Sequence, residues 1–243
     1  MGSQSISIIT GAGSGINKEI ARQLAVDGPV AICDLNAEAA QATAQLIKDE
    51  GGIAEGWAMD VADRQRVQTV VSEIADRFGG VDVLINGAGY GQFKSFLDLE
   101  EADWDRMFDV HVKGTFNCTQ AVIPFMRDKG FGRIVCFSSV GAFSGSPSHS
   151  HYAAAKAAVI GFSKALCKEI GPWGITINCV APGAIETPFL GDISAEALER
   201  YSDTPVGRIG QPADVAHTVR FLISPDAGYI TGWVVSVNGG IYT

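Results

Sequence analysis

Short runs of β-branched residues alternate with amphipathic helical patterns along almost the whole chain, and this alternation limits the fold more than any single motif does. Alternating β and α segments imply parallel strands joined by right-handed crossovers, with helices covering both faces of the sheet. The 243 residues contain no repeat or Pro/Ser-rich linker, and 47% of them are hydrophobic. We therefore predict a single α/β domain over residues 1–243, with a doubly wound, seven-stranded parallel sheet.

The carboxyl ends of the predicted strands carry polar side chains. Asp34, Asn86 and Ser139 each end or follow a strand-like run. In doubly wound sheets, ligands bind beyond these strand ends, where the strand order reverses. We therefore expect the three residues to share one cleft. The predicted strands are Ser5–Thr10, Val30–Asp34, Ile53–Ala58, Val81–Asn86, Arg133–Ser138, Ile175–Ala181 and Val234–Asn238, and the predicted helices include Glu38–Glu50, Arg64–Phe78, Phe116–Arg127 and Tyr152–Ile170.

A glycine-rich turn follows the first predicted strand and precedes a helical pattern. The turn reads Gly11-Ala12-Gly13-Ser14-Gly15-Ile16. Strand, glycine turn and helix in this order form a dinucleotide-binding motif, in which the backbone approaches a pyrophosphate and the helix N-terminus stabilises it. Asp34 ends the second strand about twenty residues further on, where a carboxylate binds the adenosine ribose hydroxyls. These features predict a Rossmann domain that binds a dinucleotide.

Tyr152 and Lys156 lie four residues apart on a predicted helix, so their side chains share one helical face. Their ordinary pKa values are about 10 and about 10.4, so neither is a useful base at neutral pH by itself. A nearby positive charge favours the phenolate, and we expect Lys156 to lower the pKa of Tyr152. The Ser139 hydroxyl could bind the same substrate oxygen. Although a tyrosine packed under a lysine stem is the plain structural alternative, the set predicts proton transfer involving a carbonyl or an alcohol.

From Ser5 to the C-terminus, the chain resembles the short-chain dehydrogenase/reductase family. The resemblance rests on a Thr-Gly-x-x-x-Gly-x-Gly start, an Asn-Asn-Ala-Gly segment after the fourth strand, a Ser/Tyr/Lys set and a Pro-Gly turn. These motifs occur in the family's order over the whole length. The matching positions are Thr10, Gly11 and Gly15, then Asn86-Gly87-Ala88-Gly89, then Ser139, Tyr152 and Lys156, and finally Pro182-Gly183.

The resemblance implies a Rossmann fold, a nicotinamide cofactor and catalysis by Ser139, Tyr152 and Lys156. It also implies that Lys156 binds the nicotinamide ribose and that Asp60 and Val61 contact the adenine. The cofactor-binding residues that it implies are Gly11, Gly13, Ser14, Gly15, Ile16, Asp34, Leu35, Asp60, Val61, Asn86, Gly87, Ala88, Tyr152, Lys156, Pro182, Gly183, Ile185 and Thr187.

Two positions depart from the family pattern. Asn17 replaces the last glycine of the fingerprint, which puts a bulkier side chain near the cofactor phosphates or at the helix–sheet contact. His111 replaces a fourth catalytic residue, an asparagine that by resemblance helps to position a water linking the lysine to solvent. Either the imidazole holds that water, since a neutral imidazole both donates and accepts, or the ring turns away and the backbone carbonyl holds it.

The cofactor choice can be argued from Asp34. A carboxylate accepts hydrogen bonds from two ribose hydroxyls, but it repels a 2′-phosphate because both groups are negative. The next residue is Leu35, where an NADP-preferring relative often carries an arginine, and no Arg or Lys occurs between Thr10 and Ile16. We therefore predict a preference for NAD(H). A role of Asp34 in capping the following helix would be compatible with this preference.

Three functions remain open. The first is an NAD(H)-dependent oxidoreductase that interconverts a secondary alcohol and a ketone, with Tyr152 as general acid and base. The second is a 3-oxoacyl-thioester reductase, because the C-terminal segment from Tyr229 to Gly240 resembles that of reductases acting on acyl carrier protein. The third is a cofactor-binding regulator without activity, which the intact Ser139, Tyr152 and Lys156 disfavour.

A carrier-protein substrate is disfavoured by charge. Reductases that act on acyl carrier protein commonly place basic residues near the cleft to dock the acidic carrier. The corresponding positions are Gly130 and Trp173, on a chain with a net charge of −9. A coenzyme A thioester remains open.

The same acidic charge argues against a nucleic-acid or anionic-membrane surface. The sequence has no signal-peptide pattern and no apolar run of membrane-spanning length, so we expect a cytoplasmic protein. The five cysteines form no Cys-x-x-Cys pair, as in a reducing compartment. His149 and His151 lack further ligands at a suitable spacing, so we predict no metal site and expect both in the pocket wall.

The expected partners are a small-molecule alcohol or ketone and further copies of the chain. Tyr90, Phe93, Phe143 and Phe189 lie in segments predicted to line the cleft and suggest an apolar substrate, while the loop from Ala184 to Pro205 decides the shape of the pocket. By resemblance we expect a homotetramer whose dimer face is formed by the helices Phe116–Arg127 and Tyr152–Ile170. Small residues permit close helix approach there, unless they pack only within the subunit; they are Ala153, Ala157, Ala158, Gly161 and Ala165.

Overall fold

The computed structural model describes residues 5–190, 199 and 202–242. Within these residues, seven strands form one sheet in the order β3-β2-β1-β4-β5-β6-β7. Every neighbouring pair is parallel, which confirms the predicted doubly wound α/β fold. The strands are β1 (Ser7–Thr10), β2 (Val30–Asp34), β3 (Ala54–Ala58), β4 (Val83–Asn86), β5 (Gly132–Phe137), β6 (Ile175–Pro182) and β7 (Val234–Val237).

Helices cover both faces of the sheet, as predicted. One face packs against α3, α5 and α7, and the other packs against α1, α2 and α8. The helix bounds are α1 (Gly15–Leu24), α2 (Ala37–Asp49), α3 (Arg64–Phe78), α4 (Glu101–Phe108), α5 (Gly114–Lys129), α6 (Gly141–Ser144), α7 (Ser150–Ile170) and α8 (Pro212–Ile223), with a π-helical turn at Asp109–Lys113.

The central strands are apolar on both sides because helices cover both faces. Ile8 and Ile9 are adjacent on β1 and both are fully buried, one in each of the two core clusters. Ile9 is paired in register with Ile32 on β2 and with Ile85 on β4. β1 therefore lies inside the sheet, between β2 and β4, and the strand order reverses between β1 and β4.

The strand β2 and the helix α3 have the predicted bounds, and local sequence signals explain those of α3. The Asp63 side chain accepts a hydrogen bond from Arg66 N at the start of α3, and Gly79 ends this helix in a left-handed conformation with φ = 91°. The helices α4 and α8 were not among those predicted. α4 buries only Met107 of its eight residues, so its hydrophobic periodicity is weak.

The cysteines form no disulfide bond in the described part of the chain. Cys33, Cys118, Cys136 and Cys179 are buried, and Cys167 is half-buried. The buried thiols fill the core as small apolar side chains. None of the described helices combines the length and the apolar character that crossing a bilayer requires.

Candidate active site

A cleft of about 590 Å³ lies at the carboxyl ends of the strands around the switch between β1 and β4. Its volume falls within the range of about 300–1,000 Å³ that is common for ligand sites. The predicted residues that line it are Gly11, Ser14, Gly15, Ile16, Asp34, Leu35, Asp60, Val61, Gly87, Ala88, His111, Ser139, Tyr152, Lys156, Pro182, Gly183, Ile185 and Thr187.

Two predicted cofactor residues do not line this cleft. Asn86 points into the core, where its Nδ2 donates to Thr119 Oγ1 at 2.9 Å. Gly13 lies behind the Asp34 carboxylate, and its N–H donates to Asp34 Oδ2 at 2.8 Å. A Cβ at Gly13 would lie 2.8 Å from that same oxygen, so only glycine permits this contact.

The glycine turn presents the start of α1 to the cleft. Gly11 and Gly15 have φ values of 67° and 59°, a region that favours glycine. Ser14 is the N-cap residue of α1, yet its side chain makes no capping hydrogen bond. The first N–H groups of α1 therefore lack a side-chain acceptor and are suited to bind an anion.

Asn17 lies at the helix–sheet contact, which is one of the two places expected for it. Its Nδ2 donates to Gly87 O at 2.9 Å and to Gly11 O at 3.3 Å. These bonds tie the glycine turn to the segment that follows β4. The Asn17 Oδ1 atom is buried without a hydrogen-bond partner among the described residues.

Asp34 is held rigidly at the end of β2. Besides accepting from Gly13 N, it accepts from Asn36 N at 2.9 Å through Oδ1. The cap of α2 is Asn36, whose Oδ1 accepts from Ala39 N. Asp34 therefore is not the helix cap, and its carboxylate faces the cleft beside the exposed Leu35.

Arg106 lines the same end of the cleft and was not predicted from the sequence. Its Nη2 lies 3.5 Å from Asp60 Oδ2, so its charge has an acidic partner. Arg106 comes from α4, a helix without a motif and with a weak apolar pattern. The packing of α4 against α7 and the π-helical turn brings it to the cleft.

Ser139, Tyr152 and Lys156 meet at the other end of the cleft. Ser139 follows β5, and Tyr152 and Lys156 lie in the first part of α7. The Lys156 Nζ atom lies 5.6 Å from the centre of the Tyr152 ring and donates to Phe137 O at 2.8 Å. Burial lowers the pKa of Lys156 to about 8.

The pKa of Tyr152 corrects one expectation. Burial raises this pKa, and a hydrogen bond with Ser139 lowers it to a smaller extent. The sequence led us to expect a net lowering by Lys156. That ammonium group is itself buried and donates to Phe137 O, so desolvation of the phenol is the larger effect.

His111 lies in the π-helical turn and is almost fully buried. Its Nε2 lies 2.9 Å from Tyr90 O and 3.3 Å from Tyr90 N, so it can donate to the carbonyl in one tautomer or accept from the backbone N–H in the other. The ring packs edge-on against Tyr152, with 5.4 Å between the ring centres. Burial, followed by the charge of Lys156, lowers the pKa of His111 well below 6.5, so the ring is neutral. Its backbone carbonyl accepts from Thr115 Oγ1 at 2.7 Å.

The aromatic residues divide into two groups. Tyr90 and Phe93 line the cleft, as expected. Phe143 does not line it and instead stacks on Tyr242 with 5.4 Å between ring centres. The side chain of Phe189 and part of the loop expected to shape the pocket, residues 191–198 and 200–201, lie outside the described part of the chain.

His149 lines the cleft next to Tyr152, whereas His151 is fully buried, with its Nε2 3.3 Å from Gln92 Oε1. The described residues contain no group of three or more His, Cys, Asp or Glu side chains that could hold a metal ion.

Comparisons with known proteins show the family of this chain. A family model described as enoyl-(acyl carrier protein) reductase matches residues 11–242. The short-chain reductase protein NovJ of Streptomyces niveus is 39% identical over 246 residues, covering 98% of this chain and 94% of that protein. The chain belongs to the short-chain dehydrogenase/reductase family. It is therefore an oxidoreductase by family.

Two further relatives carry more specific names. The 3-oxoacyl-acyl-carrier-protein reductase FabG of Thermotoga maritima is 37% identical over 238 residues, covering 97% of each chain. The BbsD subunit of a (hydroxy(phenyl)methyl)succinyl-CoA dehydrogenase from Thauera aromatica is 40% identical over 237 residues, covering 97% of this chain and 95% of that subunit.

Proposed function

We propose that this protein is an NAD(H)-dependent oxidoreductase that interconverts a secondary alcohol and a ketone. The observation that carries the proposal is the meeting of Ser139, Tyr152 and Lys156 in the cleft that also contains Asp34 and the open start of α1. A phenol, a hydroxyl and a buried ammonium group around one space can bind an oxygen and move its proton. A dinucleotide that reaches from α1 to this space would complete the reaction.

The residues present fit a dinucleotide. The uncapped N–H groups at the start of α1 suit a pyrophosphate, and the fixed Asp34 carboxylate suits two ribose hydroxyls. Ser14, Gly15 and Ile16 would hold the phosphates, and Asp60 and Val61 would border the adenine. When bound, the nicotinamide ring accepts or supplies the hydride.

The protein's own side chains carry out the proton transfer. In alcohol oxidation, Tyr152 takes the hydroxyl proton as a phenolate, and in ketone reduction it returns a proton to the oxygen. Ser139 donates a hydrogen bond to that oxygen and steadies its developing charge. Lys156 remains largely protonated at neutral pH because its pKa is about 8, and its charge favours the phenolate once Tyr152 loses its proton.

Preference for NAD(H) over NADP(H) rests on Asp34. Its carboxylate faces the cleft in a fixed position, so a 2′-phosphate would meet a negative charge. Arg106 is the nearby cation that the sequence argument did not consider. Because Arg106 already lies beside Asp60, its charge is partly compensated and gives a 2′-phosphate less stabilisation.

A 3-oxoacyl-thioester reductase is the alternative, and the names of the FabG and BbsD relatives favour it. The sequence led us to expect Gly130 and Trp173 near the cleft, where they would border a docked carrier protein, and the structure corrects this location. Gly130 ends α5 and Trp173 precedes β6, so within one chain both lie at the amino ends of the strands, opposite the cleft. A six-residue strand such as β5 spans roughly 20 Å at about 3.3 Å per residue. Within one subunit, both positions are therefore too far from the cleft for their lack of a basic side chain to argue against a carrier-protein substrate.

A homotetramer is the expected assembly. Ala157, Gly161 and Ala165 lie four residues apart on α7 and are exposed, so they do not pack within the subunit. A Cβ at Gly161 would meet nothing within 4 Å. We expect these residues to permit close contact between α7 helices of two subunits. Sedimentation of a monomer at micromolar concentration would contradict the expectation.

The direct test is a screen of NAD⁺ reduction at 340 nm over secondary alcohols, sugar alcohols and 3-hydroxyacyl-CoA esters, repeated with NADP⁺. We expect turnover of at least one alcohol with NAD⁺. Turnover confined to the CoA esters would favour the thioester alternative. NADH binding without turnover of any substrate, in either direction, would favour a cofactor-binding regulator.

A further inference from the structure

His149 lies between two aromatic rings at the substrate end of the cleft. Its ring stacks on Phe93 with 4.1 Å between centres and an angle of 24°. On the other side it stacks on Tyr152 with 4.5 Å between centres and an angle of 12°. His149 is 7% exposed, whereas Phe93 is 69% exposed, so Phe93 shields the imidazole from solvent at the mouth of the cleft.

The backbone around His149 is held in a strained conformation. Ser148 is the only residue other than glycine with positive φ in the described part of the chain, at 58°. This conformation costs roughly 1–2 kcal/mol for a residue with a Cβ. Two contacts maintain it: Lys94 N donates to Ser148 O at 2.8 Å, and His149 N donates to Ser146 O at 3.2 Å. Strain that the surroundings maintain is common at ligand sites.

The Nε2 atom of His149 has no hydrogen-bond partner among the described residues, although it is buried. An unpaired buried polar atom costs about 1–3 kcal/mol. Since His149 lines the cleft beside Tyr152, a bound substrate can supply the missing partner. His151, two residues away, differs because it does not line the cleft and its Nε2 lies beside Gln92 Oε1.

The proposal rests on the function proposed above and specifies its substrate class. We propose that His149 Nε2 hydrogen-bonds a second, uncharged oxygen of the substrate, so that the substrate is a ketone or alcohol with a further carbonyl or hydroxyl oxygen near the reacting carbon. The stacking distance to Tyr152 places this oxygen close to the reaction centre rather than on a distant tail. His149 is then a residue that positions the substrate and determines specificity.

An uncharged oxygen is favoured over a carboxylate because the imidazole is neutral. Burial, followed by the charge of His151, lowers the pKa of His149. A neutral Nε2 offers one donor or one acceptor and no charge to compensate an anion in this dry position.

The test compares ethyl acetoacetate with 2-heptanone, two ketones with the same seven-atom chain, of which only the first has an ester group, whose carbonyl supplies the second oxygen. We expect kcat/KM with NADH to favour ethyl acetoacetate by about tenfold or more, equivalent to about 1.4 kcal/mol. His149→Phe keeps a planar ring between Phe93 and Tyr152 but cannot form the bond. This variant should reduce the preference to about threefold or less, mainly through KM of the ester. His149→Gln should restore most of the preference for ethyl acetoacetate. The control His151→Gln should keep the wild-type preference.

A second measurement does not depend on turnover. The side-chain ¹⁵N signals of the four histidines are recorded with NADH and ethyl 3-hydroxybutyrate, a pair that cannot react because both are already reduced. The signal absent from His149→Phe should shift with this ester and not with 2-heptanol. If wild type turns over both ketones without preference and no signal shifts, the role of His149 is wrong while the oxidoreductase function stands. If the signal shifts but neither ketone is reduced and the alcohol screen finds no turnover, the role of His149 stands and the proposed alcohol/ketone activity is wrong. An equal loss of kcat/KM on both ketones in His149→Phe would also overturn the proposal.

Discussion

The amide side chain of Asn17 occupies the space that a side chain at Gly87 would need. A Cβ built at Gly87 would lie 2.2 Å from Asn17 Oδ1 and 2.4 Å from Asn17 Nδ2. The same amide donates to Gly87 O at 2.9 Å. By the family resemblance, position 17 usually holds a glycine and position 87 an asparagine. Gly87 is therefore a further departure from the family pattern, beside Asn17 and His111. Positions 17 and 87 carry the two residue types in exchanged places across one contact, and the glycine leaves room for the amide.

This contact predicts strong coupling between the two positions. Gly87→Ala should lower the free energy of unfolding by about 1–3 kcal/mol, because the new methyl group displaces an amide that makes two hydrogen bonds. Asn17→Gly should remove that conflict. The double variant should therefore lose less free energy of unfolding than the two single variants lose together, by about 1 kcal/mol or more. Urea unfolding of the four proteins measures the coupling. Simple additivity would contradict the proposed exchange.

Cofactor choice should depend on Asp34. We expect kcat/KM to favour NAD⁺ over NADP⁺ by at least about tenfold, or roughly 1.4 kcal/mol, because the carboxylate repels a 2′-phosphate. Asp34→Ala should narrow the preference. Asp49→Ala at the far end of α2 removes the same charge away from the cleft and should leave the ratio as in wild type. Equal use of both cofactors by wild type would refute the argument.

Tyr152→Phe should separate chemistry from cofactor binding. The variant keeps the ring that stacks on His149 but loses the proton donor, so turnover should fall by on the order of 10² or more. NADH binding, followed by fluorescence, should remain close to wild type. Tyr90→Phe removes a hydroxyl from the same cleft and should cost less than about tenfold. Near-normal turnover in Tyr152→Phe would place the proton donor elsewhere.

The sequence was sufficient for the sheet and for most of the cleft, because strands, glycine turns and the Tyr152–Lys156 spacing are local patterns. The sequence did not reveal contacts between residues that are far apart along the chain. Asn17 and Gly87 are 70 positions apart, and nothing in either segment indicates that they touch. Arg106 reaches the cleft only through the packing of α4. The raised pKa of Tyr152 likewise depends on burial, which the spacing of two residues does not reveal. The predictions of a single domain and of the residue roles remain predictions.

His111 should be replaceable by asparagine. Its neutral Nε2 lies within hydrogen-bond distance of Tyr90 O and Tyr90 N, and an asparagine amide, which has both a donor and an acceptor, can bond to the same backbone groups. We therefore expect His111→Asn to change kcat by less than about tenfold near pH 8. His111→Ala should reduce kcat further only if the imidazole, through its unpartnered Nδ1, takes part in the proton relay. A loss above about a hundredfold in His111→Asn with an intact fold would mean that this histidine does chemistry of its own.

Lys156 should make the stability of the cofactor-free protein depend on pH. Burial lowers its pKa from 10.5 to about 8, so between these values the unfolded chain binds more protons than the folded chain. Stability from this group must then rise with pH, because the cost of burying the ammonium is full below pH 8 and disappears as the pH passes 10.5. Lys156→Met lacks this cost at every pH. The stability of wild type relative to Lys156→Met should therefore increase by about 2 kcal/mol between about pH 7.5 and about pH 9.5. Urea unfolding of both proteins across this range measures the change, and a constant or falling difference would mean that Lys156 is not buried as a cation.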